Sequence, residues 1–470
     1  MSATLAPSPP ATAQAGHDQA RRPARAGLAL LASLLGFTVI TIDVSAVNIA
    51  LSDIRDSLHG GMTGLQWVLD SYTLMFAALM ISAGALADRA GARRAYAWGV
   101  GLFTLASLAC ALAPSIGALI AARVGQGAAA AVVMPASLAL IRQAYDDARA
   151  RARAIALWTV GGSAAMAGGP VLGGVLTQTV GWRAVFLLNL PVGALILALL
   201  VRVAPSPRRP APLDVPGQLT AVLGLAGLAY AVIEGGHAGW TDPLVLGSIA
   251  FAVLAGFGFR AAEKRHRAPM VPLPLLRQRE VGVSLAVGFA VNAGFYGVVF
   301  LLGLYLQQML GMSAVAAGFM FVPLGILITT SNLVSARVAE RAGRRPVIVT
   351  GQIILAVAMF ALLPLGAGTP VWLVLLLLVP TGIGGALAVP ALTALLMDSV
   401  PAHRAGTASG LLNSLRQTGG ALSVALFGSL IGADGGFSVT GMREGLVVVG
   451  AVLVVTAALS AWLLPRGGRR

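Results

Sequence analysis

The 470-residue chain is 57% apolar and only 10% charged, with a net charge of +15 and a mean hydropathy of +0.85. A soluble domain carries roughly a quarter charged residues, so this composition excludes a soluble enzyme, a nucleic-acid binder and a secreted scaffold. The apolar residues come in runs of about 20, the length that crosses a bilayer as a helix. The sequence therefore predicts an all-α polytopic membrane protein whose main surroundings are a lipid bilayer.

The rarity of cysteine, lysine and histidine excludes several further kinds of functional site. The chain has one cysteine, Cys110, so an internal disulfide or a thiolate metal cluster is excluded. Its one lysine, Lys264, does not follow a glycine-rich loop, so the sequence has no P-loop for a nucleotide. The five histidines fall in predicted tails and loops. We therefore expect no metal, no cofactor and no nucleotide-driven pump.

Along the chain we predict a disordered cytoplasmic tail (1–26), a six-helix bundle (27–202), a linker with two extra transmembrane helices (203–281), a second six-helix bundle (282–464) and a cytoplasmic tail (465–470). The fourteen apolar segments lie near 27–51, 67–87, 96–113, 116–141, 154–177, 183–201, 216–234, 243–259, 282–306, 314–336, 346–365, 371–396, 406–431 and 444–464. In a twelve-span alternative, 203–281 is one cytoplasmic loop. That arrangement leaves about 35 apolar residues in water, which the hydrophobic effect opposes.

The basic residues predict the orientation. With both termini in the cytoplasm, 27 of the 32 Lys and Arg residues fall in cytoplasmic segments and three in outside loops. The other two, Arg123 and Arg416, lie inside predicted spans. This asymmetry follows the positive-inside rule, and it accounts for the positive net charge without nucleic acid as a partner.

Two pairs of similar segments indicate an internal repeat. Residues 84–93 resemble 336–345 at an offset of 252, and 134–141 resemble 389–396 at an offset of 255. These offsets relate the two six-helix bundles to each other. Parallel repeats of this kind bind substrate between the halves and alternate access by rocking.

Four motifs follow one another along the chain: Asp43-Val-x-x-Val47-Asn48-x-Ala50-Leu51, Gly84-x-x-x-Asp88-Arg89-x-Gly91-x-Arg93-Arg94, Arg123-x-x-Gln126-Gly127 and Gly168-Gly169-Pro170-x-x-Gly173-Gly174. They resemble motifs of the major facilitator superfamily, within it the fourteen-span drug:proton antiporters, and together they extend the likeness over nearly the whole chain. A further stretch, 230–240, is similar to antibiotic-resistance exporters of the methylenomycin A type. In span 1, Ser52 stands where a proline is usual.

The resemblance implies a proton-coupled antiporter, not an enzyme, in the bacterial cytoplasmic membrane. It would export small hydrophobic or amphipathic drugs in exchange for protons, and we expect it to act as a monomer. One alternative is a dedicated exporter of an endogenous metabolite or siderophore. Another is an intramembrane enzyme such as a lipid transferase, which the scattered histidines disfavour.

Asp43 and Arg123 are the predicted proton-coupling residues. A carboxyl group inside the bilayer is costly to ionise, and intramembrane acids are usually functional. The resemblance implies that Arg123 helps Asp43 release its proton. The repeat offset of 252 places Phe295 at the position equivalent to Asp43, so the acid is not a requirement of the fold. The alternative is a permanent structural ion pair.

The predicted gating residues come from two of the motifs. In the loop after span 2, the family role implies that Asp88 pairs with arginines and locks the cytoplasmic side. In span 5, glycines allow close helix contact and a proline weakens the helix. Generic helix packing and a solvated loop acid are the alternatives. The gating residues are Gly84, Asp88, Arg89, Gly91, Arg93, Gly169, Pro170, Gly173 and Gly174.

Five polar residues are predicted to line the substrate cavity: Asn48, Asp70, Gln126, Asn413 and Arg416. Asp70 is expected in the first turn of span 2, where capping of the helix is the alternative role. Arg416 could contact an anionic group or a dipole of the cargo, or make structural hydrogen bonds. Asp43 and Asn48 lie about 140° apart on their helix, and the sequence does not decide which of them faces the cavity.

Overall fold

The computed structural model describes residues 11–207, 214–266, 269, 271, 273–400, 405–432 and 437–464. The side chains of residues 11–25, 81, 85, 88, 148, 152, 237, 273, 336, 405 and 406 are outside the described part. The predicted tails at 1–10 and 465–470 also lie outside it. Helix α1 begins at Ala11, within the segment predicted to be a disordered tail.

The described chain consists almost entirely of α-helices. Buried backbone groups in a bilayer must be satisfied within the segment, and long helices do this. A 3₁₀ turn (Leu273–Arg277) precedes α10, and a π-helical turn (Tyr305–Met309) continues it. The helices are α1 (Ala11–Leu58), α2 (Met62–Ala90), α3 (Ala92–Ala111), α4 (Ile116–Ala144), α5 (Ala148–Thr179), α6 (Arg183–Leu187), α7 (Asn189–Val201), α8 (Val215–His237), α9 (Pro243–Arg265), α10 (Arg279–Leu304), α11 (Ala314–Met320), α12 (Val322–Ala342), α13 (Arg344–Ala361), α14 (Val371–Asp398), α15 (Ala405–Ile431) and α16 (Val439–Leu463).

Eleven helical segments among the described residues have the length and hydropathy of a membrane span. Two of these segments are interrupted, at Leu188 between α6 and α7 and at Phe321 between α11 and α12. Three further helices, α2, α3 and α15, have 29, 20 and 27 residues and pack among the others. The linker helices α8 and α9 pack against each other, and α8 also contacts α2 and α15.

The internal repeat seen in the sequence is visible in the backbone. Gly91 separates α2 from α3, and Gly343 separates α12 from α13, each with φ of +86°. Glycine adopts this conformation without the steric strain of a Cβ atom. Pro135 lies inside α4 and Pro390 inside α14, in agreement with the second repeat. Helices α1–α7 therefore form one bundle, and α10–α16 form a related one.

We call the interface between these two bundles the seam. The basic end is the end at which Gly91 and Gly343 lie, and the far end is the opposite one. Across the seam Gln66 Nε2 donates to the carbonyl oxygen of Ala425 at 2.8 Å, and Ser414 Oγ donates to that of Ala77 at 2.7 Å. Gln307 Nε2 donates to the carbonyl oxygen of Ile49 at 3.2 Å.

Small residues let the backbones of the two bundles approach across the seam. A Cβ atom on Gly318 would collide with the carbonyl oxygen of Pro170, and one on Gly325 would collide with Ala167. A Cβ on Gly174 would lie 2.5 Å from the carbonyl oxygen of Ala314. These seam contacts, like the hydrogen bonds above, lie in the far halves or near the middle of their helices.

Within the first bundle, the packing of α2 on α4 depends on Gly127, and this can be tested. A Cβ at Gly127 would collide with the carbonyl oxygen of Tyr72, a backbone atom that cannot rotate away. Gly127→Ala should therefore lower stability by about 1–3 kcal/mol, as overpacked cores do. Thermal unfolding of the detergent-purified protein measures the effect. Gly101→Ala is the matched control, because no atom lies within 4 Å of its added Cβ; equal stability of the two variants would contradict the packing.

Candidate transport site

A fully buried polar network lies inside the first bundle and is centred on Asp43 of α1. Arg123 Nη1 of α4 donates to Asp43 Oδ2 at 2.5 Å. Asp43 Oδ1 accepts hydrogen bonds from Gln126 Nε2 and from Asn189 Nδ2, each at 2.8 Å. The four side chains are at most 1% exposed. Both carboxylate oxygens are thus satisfied by donors from α4 and α7, within a single bundle.

Arg123 is held from several directions. Its Nε donates to the carbonyl oxygen of Val68 at 3.0 Å, and its Nη1 also donates to Gln126 Oε1 at 2.8 Å. The guanidinium carbon lies 4.2 Å from the ring centroid of Tyr72, a cation–π contact. A buried ion pair requires that its other donors and acceptors find partners. Both oxygens of Asp43 and the Nε and Nη1 atoms of Arg123 have them here.

Some members of the network differ from the sequence-based expectation. Gln126, expected in the substrate cavity, is fully buried here, and its Nε2 also donates to Ser107 Oγ at 2.9 Å. Asn189 and Ser107 were missed by the sequence analysis. Asn189 is the only amide in its apolar segment, and an amide in lipid requires a partner; that signal was present in the sequence.

Asp43 and Asn48 face different neighbours, as their spacing predicts. Asp43 points into the first bundle, whereas Asn48 lies at the seam. The Oδ1 atom of Asn48 has no hydrogen-bond partner among the described residues and lies 2.5 Å from the Cβ position of Gly303 on α10. Of this pair, Asn48 is therefore the residue that lies against the other bundle.

Asp70 is the second buried acid, and its predicted place in the first turn was wrong. Helix α2 begins at Met62, so Asp70 is its ninth residue, too far from the N-terminus to cap the helix. The residue is 0% exposed, and neither carboxyl oxygen has a hydrogen-bond partner among the described residues. An isolated buried carboxylate is strongly unfavourable, so the neutral, protonated form is the one that fits this site.

Asp70 lies on the face of α2 that forms the seam. At 100° per residue it is about 40° from Gln66 and about 20° from Ala77, the two residues of α2 that hydrogen-bond to α15. Leu74, one turn further on, is buried together with Ala421 of α15. Arg123 lies on the neighbouring helix α4, but its hydrogen bonds go to Val68, Asp43 and Gln126.

The predicted gating loop contacts its own bundle. The backbone nitrogen of Arg93 donates to Ser206 Oγ at 3.0 Å, and Arg93 Nη2 donates to the carbonyl oxygen of Val201 at 3.3 Å. A Cβ on Gly91 would lie 2.9 Å from the carbonyl oxygen of Ser206, whereas one on Gly84 would meet open space. Arg89 is exposed. The Asp88 side chain lies outside the described residues.

The predicted motif of α5 contacts helices on both sides. A Cβ on Gly169 would collide with Ser45 of α1, and one on Gly173 would lie 2.6 Å from Cα of Ala46. On the opposite side, Gly174 approaches Ala314, and the Pro170 backbone approaches Gly318. The motif thus joins α1 of its own bundle to α11 of the other.

A second polar cluster lies in the second bundle, between α10 and α15. Arg416 Nε donates to Asn292 Oδ1 at 3.1 Å, and Arg416 Nη1 donates to Asn413 Oδ1 at 3.3 Å. Asn292 Nδ2 donates to Gln417 Oε1 at 3.4 Å. The structure brings the predicted residues Asn413 and Arg416 together, and sequence reasoning missed Asn292 and Gln417.

Two related helical bundles that meet at a seam, each with buried polar residues, are the architecture of a polytopic membrane transporter. The chain belongs to the Major Facilitator Superfamily, which it matches over residues 33–424. The family predicted from the four motifs is confirmed. Among the described residues, no group of three His, Cys, Asp or Glu side chains is placed to hold a metal ion.

Characterised relatives align over most of the chain. The methylenomycin A resistance protein of Streptomyces coelicolor is 36% identical over 456 residues, covering 96% of this chain and 95% of that protein. The multidrug resistance protein Stp of Mycobacterium tuberculosis is 38% identical over 408 residues, covering 86% of this chain and 76% of that protein. Among solved structures, a D-xylose-proton symporter shares the fold with a TM-score of 0.66 at 15% identity, covering 93% of this chain and 97% of the other.

The ion pair inside the first bundle predicts a specific pattern of stability. Asp43→Asn leaves Arg123 without a counter-charge, and Arg123→Gln leaves Asp43 without one. The free energy of unfolding of each single variant should therefore fall by about 3–5 kcal/mol. Thermal unfolding in detergent measures this loss. The stability loss of the double variant should be clearly smaller than the sum of the two single losses, because no unpaired charge remains.

The exposed ion pair of Arg55 and Asp56 provides the control for this cycle, since its side chains are 37% and 70% exposed. Arg55→Gln and Asp56→Asn should each change stability by less than about 1 kcal/mol. Additive losses at Asp43 and Arg123 would show that the two charges do not interact.

Proposed function

We propose that this chain is a proton-coupled antiporter that exports small hydrophobic or amphipathic antibiotics across the bacterial cytoplasmic membrane by alternating access. The observation that carries the coupling is a fully buried carboxyl group, Asp70, without a partner at the seam. The export function is supported by the relatives, whose names describe resistance to methylenomycin A and multidrug resistance. A relative from Streptomyces glaucescens is named a tetracenomycin C resistance and export protein.

We assign the basic end to the cytoplasm and propose fourteen spans. The eleven span-length segments together with α2, α3 and α15 make this number. The arginines near Gly91 and Gly343, and those of the α4–α5 connection, then face the cytoplasm, in agreement with the positive-inside rule. Both termini are cytoplasmic in this arrangement.

The seam supports alternating access in the following way. In this conformation the close glycine contacts of Gly174 and Gly318 lie toward the far, extracellular end. The gating loop at Arg93 contacts its own bundle. The structure is consistent with a protein closed to the outside, and rocking would separate the far end while closing the basic end.

The two buried acids take different parts in the proposed coupling. Asp43 is ion-paired to Arg123, so it is charged while that network is intact. Asp70 has no partner, so the far half of the seam closes over it only when it is protonated. When the seam opens outward, water reaches Asp70 and the carboxylate takes up a proton from the outside. After the far half has closed and the basic end has opened, Asp70 releases this proton to the cytoplasm, and its charge then favours the return to the outward-open state with cargo. We propose that Asp70 is the principal proton carrier and that the Asp43–Arg123 pair is a second group whose pairing changes with conformation.

Proton-coupled export predicts the effect of removing the gradient. In a host without other exporters, cells that express the protein should accumulate less methylenomycin A or tetracenomycin C than cells without it, as measured by mass spectrometry. One proton that crosses 100 mV supplies about 2.3 kcal/mol, which sustains about a fiftyfold concentration ratio. An uncoupler should abolish that ratio. Low accumulation that survives full uncoupling would contradict the proposal.

Asp70→Asn tests the coupling group itself. The amide is neutral at every pH, so the seam still closes but carries no proton. The variant should lose uphill efflux completely and keep downhill exchange of the same compound between two compartments in liposomes. Asp53→Asn is the matched control, because Asp53 is an exposed acid on α1. Uphill efflux by Asp70→Asn at the wild-type level would assign the proton to another group.

A further inference from the structure

Arg416 lies among neutral partners only. Its Nε and Nη1 donate to the side-chain oxygens of Asn292 and Asn413, which are amides. Its Nη2 has no hydrogen bond to a described residue, and no ion pair connects Arg416 to any described carboxylate. The positive charge in the middle of α15 is therefore solvated by amide dipoles but not balanced.

The other buried arginine of the chain provides an internal comparison. Arg123 is 1% exposed, and its charge is balanced by Asp43 at 2.5 Å. In the second bundle, the position of α10 equivalent to Asp43 is Phe295. A charge within a membrane protein normally pairs with an opposite charge or faces water. Because no described carboxylate pairs with Arg416, a group from outside the protein would have to balance its charge.

Arg416 also lies where a ligand from the seam can reach it. Helix α15 is surrounded by α2 and α8 on the side of the seam and by α10, α14 and α16 on the other. Arg416, Asn413 and Gln417 nevertheless keep part of their surface exposed near the middle of the helix. Arg416 is also close to Tyr296 of α10, and Tyr296 is in turn close enough to Tyr72 of α2, in the first bundle, for the two groups to interact electrostatically.

The side chains beside Arg416 are aromatic and amide groups. Phe295 and Tyr296 of α10 are partly exposed, and their rings make an edge-to-face contact at 5.4 Å between centroids. Tyr296 packs against Gly420, one turn from Arg416 on α15. Aromatic side chains of this kind suit the apolar or aromatic part of a small ligand, whereas the guanidinium group suits one anionic group of that ligand.

We propose that Arg416 binds a carboxylate of the exported compound, so that the preferred cargo is a small amphipathic monoanion. The inference rests on the proposed export function and names its substrate class. An arginine fork binds a carboxylate through two parallel charge-assisted hydrogen bonds, and the Nη2 atom supplies one of these donors. The cargo itself is then the counter-charge that the protein lacks.

The test compares matched pairs of ligands that differ only in charge. Binding of benzoate and benzamide, salicylate and salicylamide, and pyrenebutyrate and pyrenebutyramide is measured by calorimetry on the purified full-length protein. The wild type should bind at least one carboxylate about tenfold or more tightly than its amide, as charge-assisted hydrogen bonds allow. Arg416→Gln should remove that preference and leave affinity for the amide within about twofold.

Two further variants separate binding from folding. Arg416→Lys keeps the charge but loses the fork, so its preference for the carboxylate should be intermediate. Ser423→Ala, two turns further along α15, removes a buried hydroxyl without a described partner and should bind like the wild type. The inference is overturned if the wild type prefers no carboxylate of the three, or if Arg416→Gln retains the preference.

The outcomes also distinguish this inference from the proposed function. Binding by the purified protein requires no proton gradient, so a failure of proton-dependent efflux leaves the ligand preference standing. Conversely, proton-dependent efflux of uncharged compounds by both the wild type and Arg416→Gln, without any carboxylate preference, keeps the antiporter and eliminates the anionic cargo.

Discussion

The structure depends on how charges are balanced where water cannot reach them. In a membrane protein, a charged group inside the bundle pairs, faces water, loses its charge or meets a charged ligand. Asp43 and Arg123 pair with each other, and Gln126 and Asn189 supply the remaining donors. Asp70 and Arg416 have no such partner among the described residues. We propose a proton for the first and an anionic cargo for the second, so the two ligands of an antiporter would each complete a site that the fold leaves incomplete.

The position of these groups connects charge to movement. The Asp43 network lies within one bundle and joins α1, α4 and α7 in this conformation. Asp70 lies at the seam, between two residues of α2 that hydrogen-bond to α15. Glycines on α5 and α11 let the bundles meet there backbone to backbone. Contacts of this kind contain few interlocking side chains, so they can separate and re-form as units. Asp70 is buried in a different part of the seam, where α2 meets α15. Closure of that part would therefore depend on its protonation.

Much of the architecture could be predicted from the sequence, because segment length, hydropathy and basic residues report directly on the bilayer. The repeat was also visible, and Gly91 and Gly343 share the same φ of +86°. Arg123 was linked to Asp43 by the family resemblance, but the amide partners of Asp43 could not be predicted. Gln126 and Asn189 lie 83 and 146 residues away and are brought to Asp43 only by helix packing. The prediction that Asp70 lies in the first turn of span 2 was wrong, because the apolar run begins near residue 67 whereas helix α2 begins at Met62. Which face of α1 lines the seam also required the structure.

The central claim is that Asp70 holds a proton when the seam is closed over it. Infrared spectroscopy of the purified protein in lipid at neutral pH tests this directly, through the C=O stretch of a protonated carboxylic acid. The account predicts that the wild type shows this band, that Asp70→Asn loses it and that Asp43→Asn retains it. A wild-type spectrum without the band, or a band that disappears with Asp43 and not with Asp70, would contradict the account.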